Sequence, residues 1–538
     1  MLRTGMAAAV CVLYCACLDA TQGSIEPENP YDDINGLTSP LGDDDEEKND
    51  FKERKTSAKE FKKRKDACAR DPRVMLNLVS AGVCTGADLF FREPFGGNGR
   101  ACGSCHAAQF NYTISPQFLA SLPPSDPLFV AETNPTLAEL EIPELMRGFG
   151  LILENVDGAE DPTNKFVMRS VPHTFSLATS LSPAPVTNPD GTGIDGTTQP
   201  PLQRTGWSGD GAPNPGGLKQ FQLGAINQHY TKSLSRISGT DFTLPSDEQL
   251  TDIENFLLVI GRTKEVPIAN VVLTDLNADQ GRKTFIAARC NGCHVNAGAN
   301  VNAAVGGFNR NFDTGVENAR PTVLNDMGIM HDGGFGGGAP GAPFNHDVNN
   351  DGIADSFGNG GFNTPPLIEA ADTGPFFHNN ASATLEDAIR FYQSAAFIGA
   401  PNGVTPITFN DTEVRNVGKF LRVMNASLND QIAIKRLQAV IAIVDQFKNR
   451  KRGVQFGLLD ATQAEVRDAI TVLSQVGASS GSVNHLRLAD TALTKAQDKN
   501  NAQKRRDQAQ IALNEVLAAE SGLGTGLDMA VGQGSLMF

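Results

Sequence analysis

The chain has 538 residues, 40% of them hydrophobic and 20% charged, a length that suits three to four domains with cores of their own. Its 45 Lys and Arg against 61 Asp and Glu leave a net charge of −16, which argues against a nucleic-acid binder and suits a basic protein partner. Nine cysteines, an odd number, exclude a framework in which every thiol is paired within the chain.

At the start of the chain, Arg3 precedes an apolar run from Met6 to Leu18. The run is too short to span a bilayer and has the make-up of a secretory signal. Residues 1–23 are therefore expected to be a leader that exports the protein to an oxidising periplasmic or extracellular compartment. Cys17 reads either as a lipidation site, giving an outer-membrane anchor, or as part of a leader cleaved a few residues later. Residues 24–66 mix charges of both signs with almost no apolar pattern and are expected to form a solvated linker. Cys68 and Cys84 follow, and read either as a disulfide or as two buried thiols.

Beyond the linker the sequence repeats itself. LNLVSAGVCTGADLFF leads into FGGNGRACGSCH, and LTDLNADQGRKTFIAARCNGCH has the same order, with Gly86 and Phe90 answered by Gly281 and Phe285. SVPHTFSLATS, TGWSGDG and GGLKQFQLGAINQHY are answered by FNTPPLIEA, TGPFFHNN and ATLEDAIRFY. Each half closes on a helical pattern, at 250–261 and 411–425. The expected fold is mainly α: two related helical domains, 67–265 and 266–430, interrupted by long Gly/Pro-rich loops. Ile434, Leu437, Ile441 and Val444 continue a helical stripe, so residues 431–538 are expected to be a helical appendage, an antiparallel hairpin whose role is packing.

Cys102-Gly-Ser-Cys105-His106 and Cys290-Asn-Gly-Cys293-His294 are both CxxCH, the attachment signature of c-type haem. Two thiols on one turn add to the two porphyrin vinyl groups, and the adjacent histidine reaches the iron. A zinc site would need four ligands, and the two pairs lie far apart with no His-x3-5-His to complete either. A redox dithiol would want a βαβ setting, which the pattern lacks. The expectation is two covalent haem c groups and a redox function. His173, His229, His331, His346, His378 and His485 are the remaining histidines; His173 and His485 read as structural and surface residues. Asp347, Asn349, Asp351 and Asp355 alternate around Gly352 in the manner of a truncated calcium loop, with NPDGTGID at 188–195 a weaker version.

FGGNGRACGSCH, the WSGDG landmark and TGPFFHNNASATLEDAIRFY resemble the bacterial dihaem cytochrome c peroxidase superfamily, which includes MauG, over residues 80–425. The resemblance implies two cytochrome-c-like domains face to face. The first haem, on His106, would meet peroxide or oxygen, and the second, on His294, would pass electrons from a small donor such as a monohaem cytochrome c. It places Tyr392, fourteen residues after His378, where the family has a Met or Tyr ligand to the second iron. Met330, His331 and Met424 are rival ligands. Trp207 falls at the inter-haem Trp, where an indole relays charge. Ser170, Thr373 and the Pro375 carbonyl fall at an inter-haem calcium site, with Ser in place of the usual Asn. The first pocket departs from the family: Phe221 stands at its distal Gln and Thr231 at its distal Glu. His229 is the nearest titratable group and reads as a proton-transfer residue, a second iron ligand or a core histidine. The implied function is peroxide reduction; the alternatives are a dihaem oxygenase acting on an organic substrate, as in the rubber oxygenases, and a non-catalytic electron carrier.

Overall fold

The computed structural model describes residues 58–155, 166–181, 203–209, 216–299, 309–334, 356–403, 406–497 and 501–537. The leader with Cys17, most of the linker, the loop with Asp347, Asn349, Asp351 and Asp355, and the weaker 188–195 motif lie outside the described residues. The described chain is mainly helical, with short paired strands.

Helix α1 (Ala58–Cys68) takes the end of the stretch that composition assigns to a solvated linker. It docks because its charges are matched: Arg64 pairs with Asp88 and, at 2.9 Å, with Glu93, while Phe61 packs on the core. A disulfide between Cys68 and Cys84 ties it to α2 (Ala81–Arg92), which resolves that pair of cysteines in favour of the bridge. Ser80 caps α2 by accepting from the Val83 amide. After α2 come an antiparallel ribbon, β1 (Leu151–Glu154) on β2 (Val167–Ser170), then α3 (Leu218–His229) and α4 (Asp247–Leu257). A capping box of Ser246 and Gln249 starts α4.

The second half repeats the arrangement. Strand β3 (Val272–Leu273) precedes α5 (Leu276–Ala287), capped by Asp275. Strands β4 (Asn311–Asp313), β5 (His331–Gly333), β6 (Ser356–Gly358) and β7 (Gly361–Asn363) pair as β4–β7 antiparallel and β5–β6 parallel. Helices α6 (Leu385–Phe391) and α7 (Asp411–Phe447) follow. The sequence echo is a packing echo. A Cβ on Gly86 would collide with the Asp252 carbonyl of α4, and a Cβ on Gly281 with the Asn416 carbonyl of α7. One turn along each contact, Phe90 meets Phe256 at 5.5 Å and Phe285 meets Phe420 at 5.7 Å. Only glycine lets two helix backbones approach this closely, and each half uses it at the matching position.

The tail corrects the expectation of an appended hairpin. Helix α7 runs 37 residues without a break through position 430, where the second domain was expected to end. With α8 (Arg452–Ser474), α9 (Ser480–Ala496) and α10 (Ala502–Leu523) it forms a four-helix bundle, each helix packing on the next and the first on the last. The physical reason is polar burial: Asn425, Ser427, Asn429 and Asp430 break the apolar stripe in the sequence, yet all four are buried, Ser427 and Asp430 towards Glu520 of α10 and Asn425 and Asn429 against Asp372. Strand β8 (Gly524–Thr525) then pairs with β3, and the last residues strap the first half to α7. Arg73 donates to the Leu536 carbonyl at 2.8 Å, the Gly261 amide to Ser535 Oγ at 3.0 Å, and Arg436 to the Ser535 carbonyl at 2.8 Å. One apolar core therefore runs from Cys68 to Met537 through both halves and the tail.

Candidate functional site

Both CxxCH motifs lie just after a glycine-bearing helix, Cys102–Cys105 as a short helical turn and Cys290–Gly292 as a tighter one. His106 Nδ1 lies 3.0 Å from the Tyr112 carbonyl. His294 Nδ1 lies 3.2 Å from the Gly298 carbonyl and 3.1 Å from that of Pro365. A carbonyl only accepts, so each contact makes Nδ1 the protonated nitrogen and leaves Nε2 with its lone pair, the arrangement that orients a ligating imidazole. Burial lowers both imidazoles to about 4, so both are neutral at pH 7. Burial also pushes the thiols up, to about 11 and 12 for Cys102 and Cys105 and to about 12 and 11 for Cys290 and Cys293. A redox dithiol needs a depressed thiol pKa, so these values run against that reading. Neutral, oriented imidazoles beside paired thiols and apolar side chains fit the protein side of a c-type haem site. At the second motif those apolar side chains line the cavity described next, and at the first Cys105 packs on the cluster of Ile114, Leu119, Phe129 and Met146.

A cavity partly open to solvent begins at Cys290, Cys293 and His294 and extends across the junction of the halves. Its walls are mostly apolar, and Tyr392, Trp207, His173 and His378 reach it. Tyr392 ends α6, with its ring packed on Phe397 at 5.0 Å. Burial, with a smaller contribution from the Cys293 and Cys290 sulfurs, raises its phenol well above the ordinary value. Among the described residues its hydroxyl has no hydrogen-bond partner. Trp207 bridges the halves: its indole Nε1 donates to the Ser170 carbonyl at 2.8 Å, and its own carbonyl accepts from the Asn363 amide at 2.8 Å. His378 is buried 4.2 Å from the Phe362 ring and 4.0 Å from Asp332, itself clamped by Arg169 at 2.6 and 2.8 Å. His173, which the sequence suggested was merely structural, lines the same cavity, and among the described residues its buried Nδ1 has no hydrogen-bond partner.

Ser170, Thr373 and Pro375 all line the cavity. Both hydroxyls already donate, Ser170 to the Phe377 carbonyl at 3.0 Å and Thr373 to the Ala370 carbonyl at 3.1 Å. Hydroxyl and carbonyl oxygens are proper calcium donors, but these three bring no carboxylate.

Around the first motif, α3 ends on His229, and the next residues grip the loop before Cys102. Asn98 Nδ2 donates to the carbonyls of His229 and Thr231, each at 2.9 Å, and the Tyr230 hydroxyl donates to Cys102 Sγ at 3.1 Å. Burial, reinforced by Arg100, Arg236 and His106, pushes the His229 imidazole down to about 3. Phe221 lies eight residues back on α3, its ring against Gly206, the residue before Trp207. Sequence reasoning missed the buried pair of Arg100 and Glu141, 2.8 Å apart beside Cys105. Arg100 stands two residues before Cys102, but its carboxylate partner is remote in sequence and has no signature.

Comparison with family models, curated proteins and solved structures gives no match for this chain.

Proposed function

We propose that the chain is an exported dihaem c-type cytochrome of the peroxidase/MauG type, an oxidoreductase that reduces hydrogen peroxide with electrons relayed through the second haem. The observation that carries this reading is the pair of CxxCH histidines, each with Nδ1 committed to a backbone carbonyl and Nε2 left to bind. When bound, the haems supply iron that cycles between oxidation states and, at an open coordination position, takes peroxide or oxygen. Cys102, Cys105 and His106 would hold the first, and Cys290, Cys293, His294 and Tyr392 the second. Tyr392 is a wall residue whose hydroxyl would suit a second iron, and as phenolate it would favour the oxidised states. Trp207, anchored to both halves, is the bridge for charge between them.

At the first motif the chain's own contribution is one buried imidazole, His229, near His106. Phe221 and Thr231, where the resemblance would put a Gln and a Glu, leave His229 as the one candidate for proton transfer, and this departure supports a second reading, oxygen chemistry on an organic substrate. A reduced, CO-treated spectrum with a haem-to-protein count tests the common core: two covalent haems per chain are expected, one of them CO-sensitive. A protein that retains no covalent haem overturns the reading, and two CO-insensitive haems leave only the electron carrier. Oxidation of reduced monohaem cytochrome c by peroxide then separates peroxidase from oxygenase.

A further inference from the structure

The turn joining α7 to α8 is Lys448-Asn449-Arg450-Lys451-Arg452-Gly453, and every one of these residues is exposed. Four cations in five positions stand out on a chain whose net charge is −16. The turn is not slack. Gln455, fully buried, donates to the carbonyls of Lys448 at 2.9 Å and Arg450 at 2.8 Å. Buried Arg505, from the first turn of α10, donates to Gln455 at 2.9 Å and to Asn449 at 3.0 Å, and lies 5.2 Å over the Phe456 ring. This network holds Lys448 at φ 53 and Lys451 at φ 59, conformations that cost a non-glycine residue free energy. Lys451 is also the N-cap of α8 and makes no side-chain cap, so the first amides of that 23-residue helix add their positive dipole end to the turn. Among the described residues, Lys448, Arg450 and Arg452 have no acidic partner, and Lys451 Nζ reaches only the Arg70 carbonyl at 3.1 Å.

We propose that this turn is a docking site for a phosphate-bearing anionic membrane surface. The chemistry is specific to that class of partner. Arginine and lysine on a rigid convex tip pair with phosphate headgroups, and each cation near such a surface adds to binding. A protein partner would be met by aromatic or aliphatic anchors at the centre of the contact, and residues 448–453 contain none. The acidic body restricts the approach to this end of the bundle.

Co-sedimentation of the full chain with phosphatidylcholine vesicles containing about 30% phosphatidylglycerol, at about 50 mM and about 500 mM salt, tests it. Binding is expected at low salt, to be lost at high salt, and to be absent on pure phosphatidylcholine. The triple variant Lys448→Glu, Arg450→Glu, Arg452→Glu should weaken it by at least about tenfold. A control reversing the exposed Lys59, Lys62 and Lys63 of α1 should bind as the parent does. Failure to bind anionic vesicles, or equal binding by the triple variant, overturns the proposal. Turn-dependent capture of heparin or DNA without vesicle binding would overturn it in favour of a polyanion.

Discussion

Gly281 has no room for a side chain, because a Cβ there would drive into the Asn416 carbonyl of α7. Gly281→Ala is expected to cost about 3 kcal/mol, read as a lower denaturant midpoint, and Gly86→Ala should behave alike. Asp332 is a second singular residue. Burial opposes its ionisation, but Arg169, with help from His378 and the Gly334 amide, overcomes burial and lowers the carboxyl to about 2 from the ordinary 3.8. A depressed carboxyl stabilises the fold above its unfolded value and loses that contribution as pH falls, so this share should vanish between about pH 4 and pH 2. Asp332→Asn is expected to cost about 2 kcal/mol near pH 7 by leaving buried Arg169 to pair with Glu154 alone, and to remove that part of the acid sensitivity, as melts across pH would show. On the proposed function, Tyr392→Phe should alter the spectrum of one haem with little effect on stability; an unchanged spectrum would remove Tyr392 as a ligand. Of these residues, the glycines were legible because close helix approach admits one residue type and both halves repeat it. The carbonyls of Tyr112, Gly298 and Pro365 that orient the histidines were not, since a backbone acceptor leaves no mark in the residue code.

The α7–α10 contact buries two carboxyls against each other. Among the described residues Asp430 has both oxygens buried without a hydrogen-bond partner, and Glu520 accepts from Ser427 and Gln431, both at 2.7 Å. Burial, then the neighbouring Glu520, holds the Asp430 carboxyl well above its ordinary range; burial raises Glu520 to about 7 against those two hydrogen bonds. The folded state thus keeps protons that the unfolded chain has released, so stability at this contact should fall as pH rises from about 4.5 through about 7. Asp430→Asn is expected to raise the Tm at pH 8, by about 1 kcal/mol in stability, and to flatten that decline. Helical segments were readable as segments, but their limits were not. The polar run at 425–431 looked like the end of a domain because periodicity counts polar residues as outward-facing. Here Asn425 and Asn429 instead donate to half-buried Asp372, at 3.2 and 3.1 Å. In α1 the misreading ran the same way: a charge-rich stretch passed for linker because its acidic partners, Asp88 and Glu93, lie a helix away.

Across the whole molecule, the halves are joined by buried polar contacts as much as by apolar packing. Arg262, fully buried, pairs with Glu369 at 2.6 Å, and Trp207 and Ser170 span the same junction. The C-terminal strap closes the assembly with buried Leu527, Met529, Leu536 and Met537. Truncation after Leu523 strips these side chains and removes the acceptors of Arg73 Nη1 and the Gly261 amide. It should cost several kcal/mol, at about 2 kcal/mol for each large apolar side chain, seen as a large fall in Tm and as proteolysis of the first half.

The strap also sets an order of events. Residues 73 and 536 meet across 463 positions of sequence, so the earliest-made half waits on the last-made segment for its lid. Until then Arg73 Nη1 and the Gly261 amide of the first half lack the acceptors that residues 535 and 536 supply, so local contacts there form before the long-range ones that complete them.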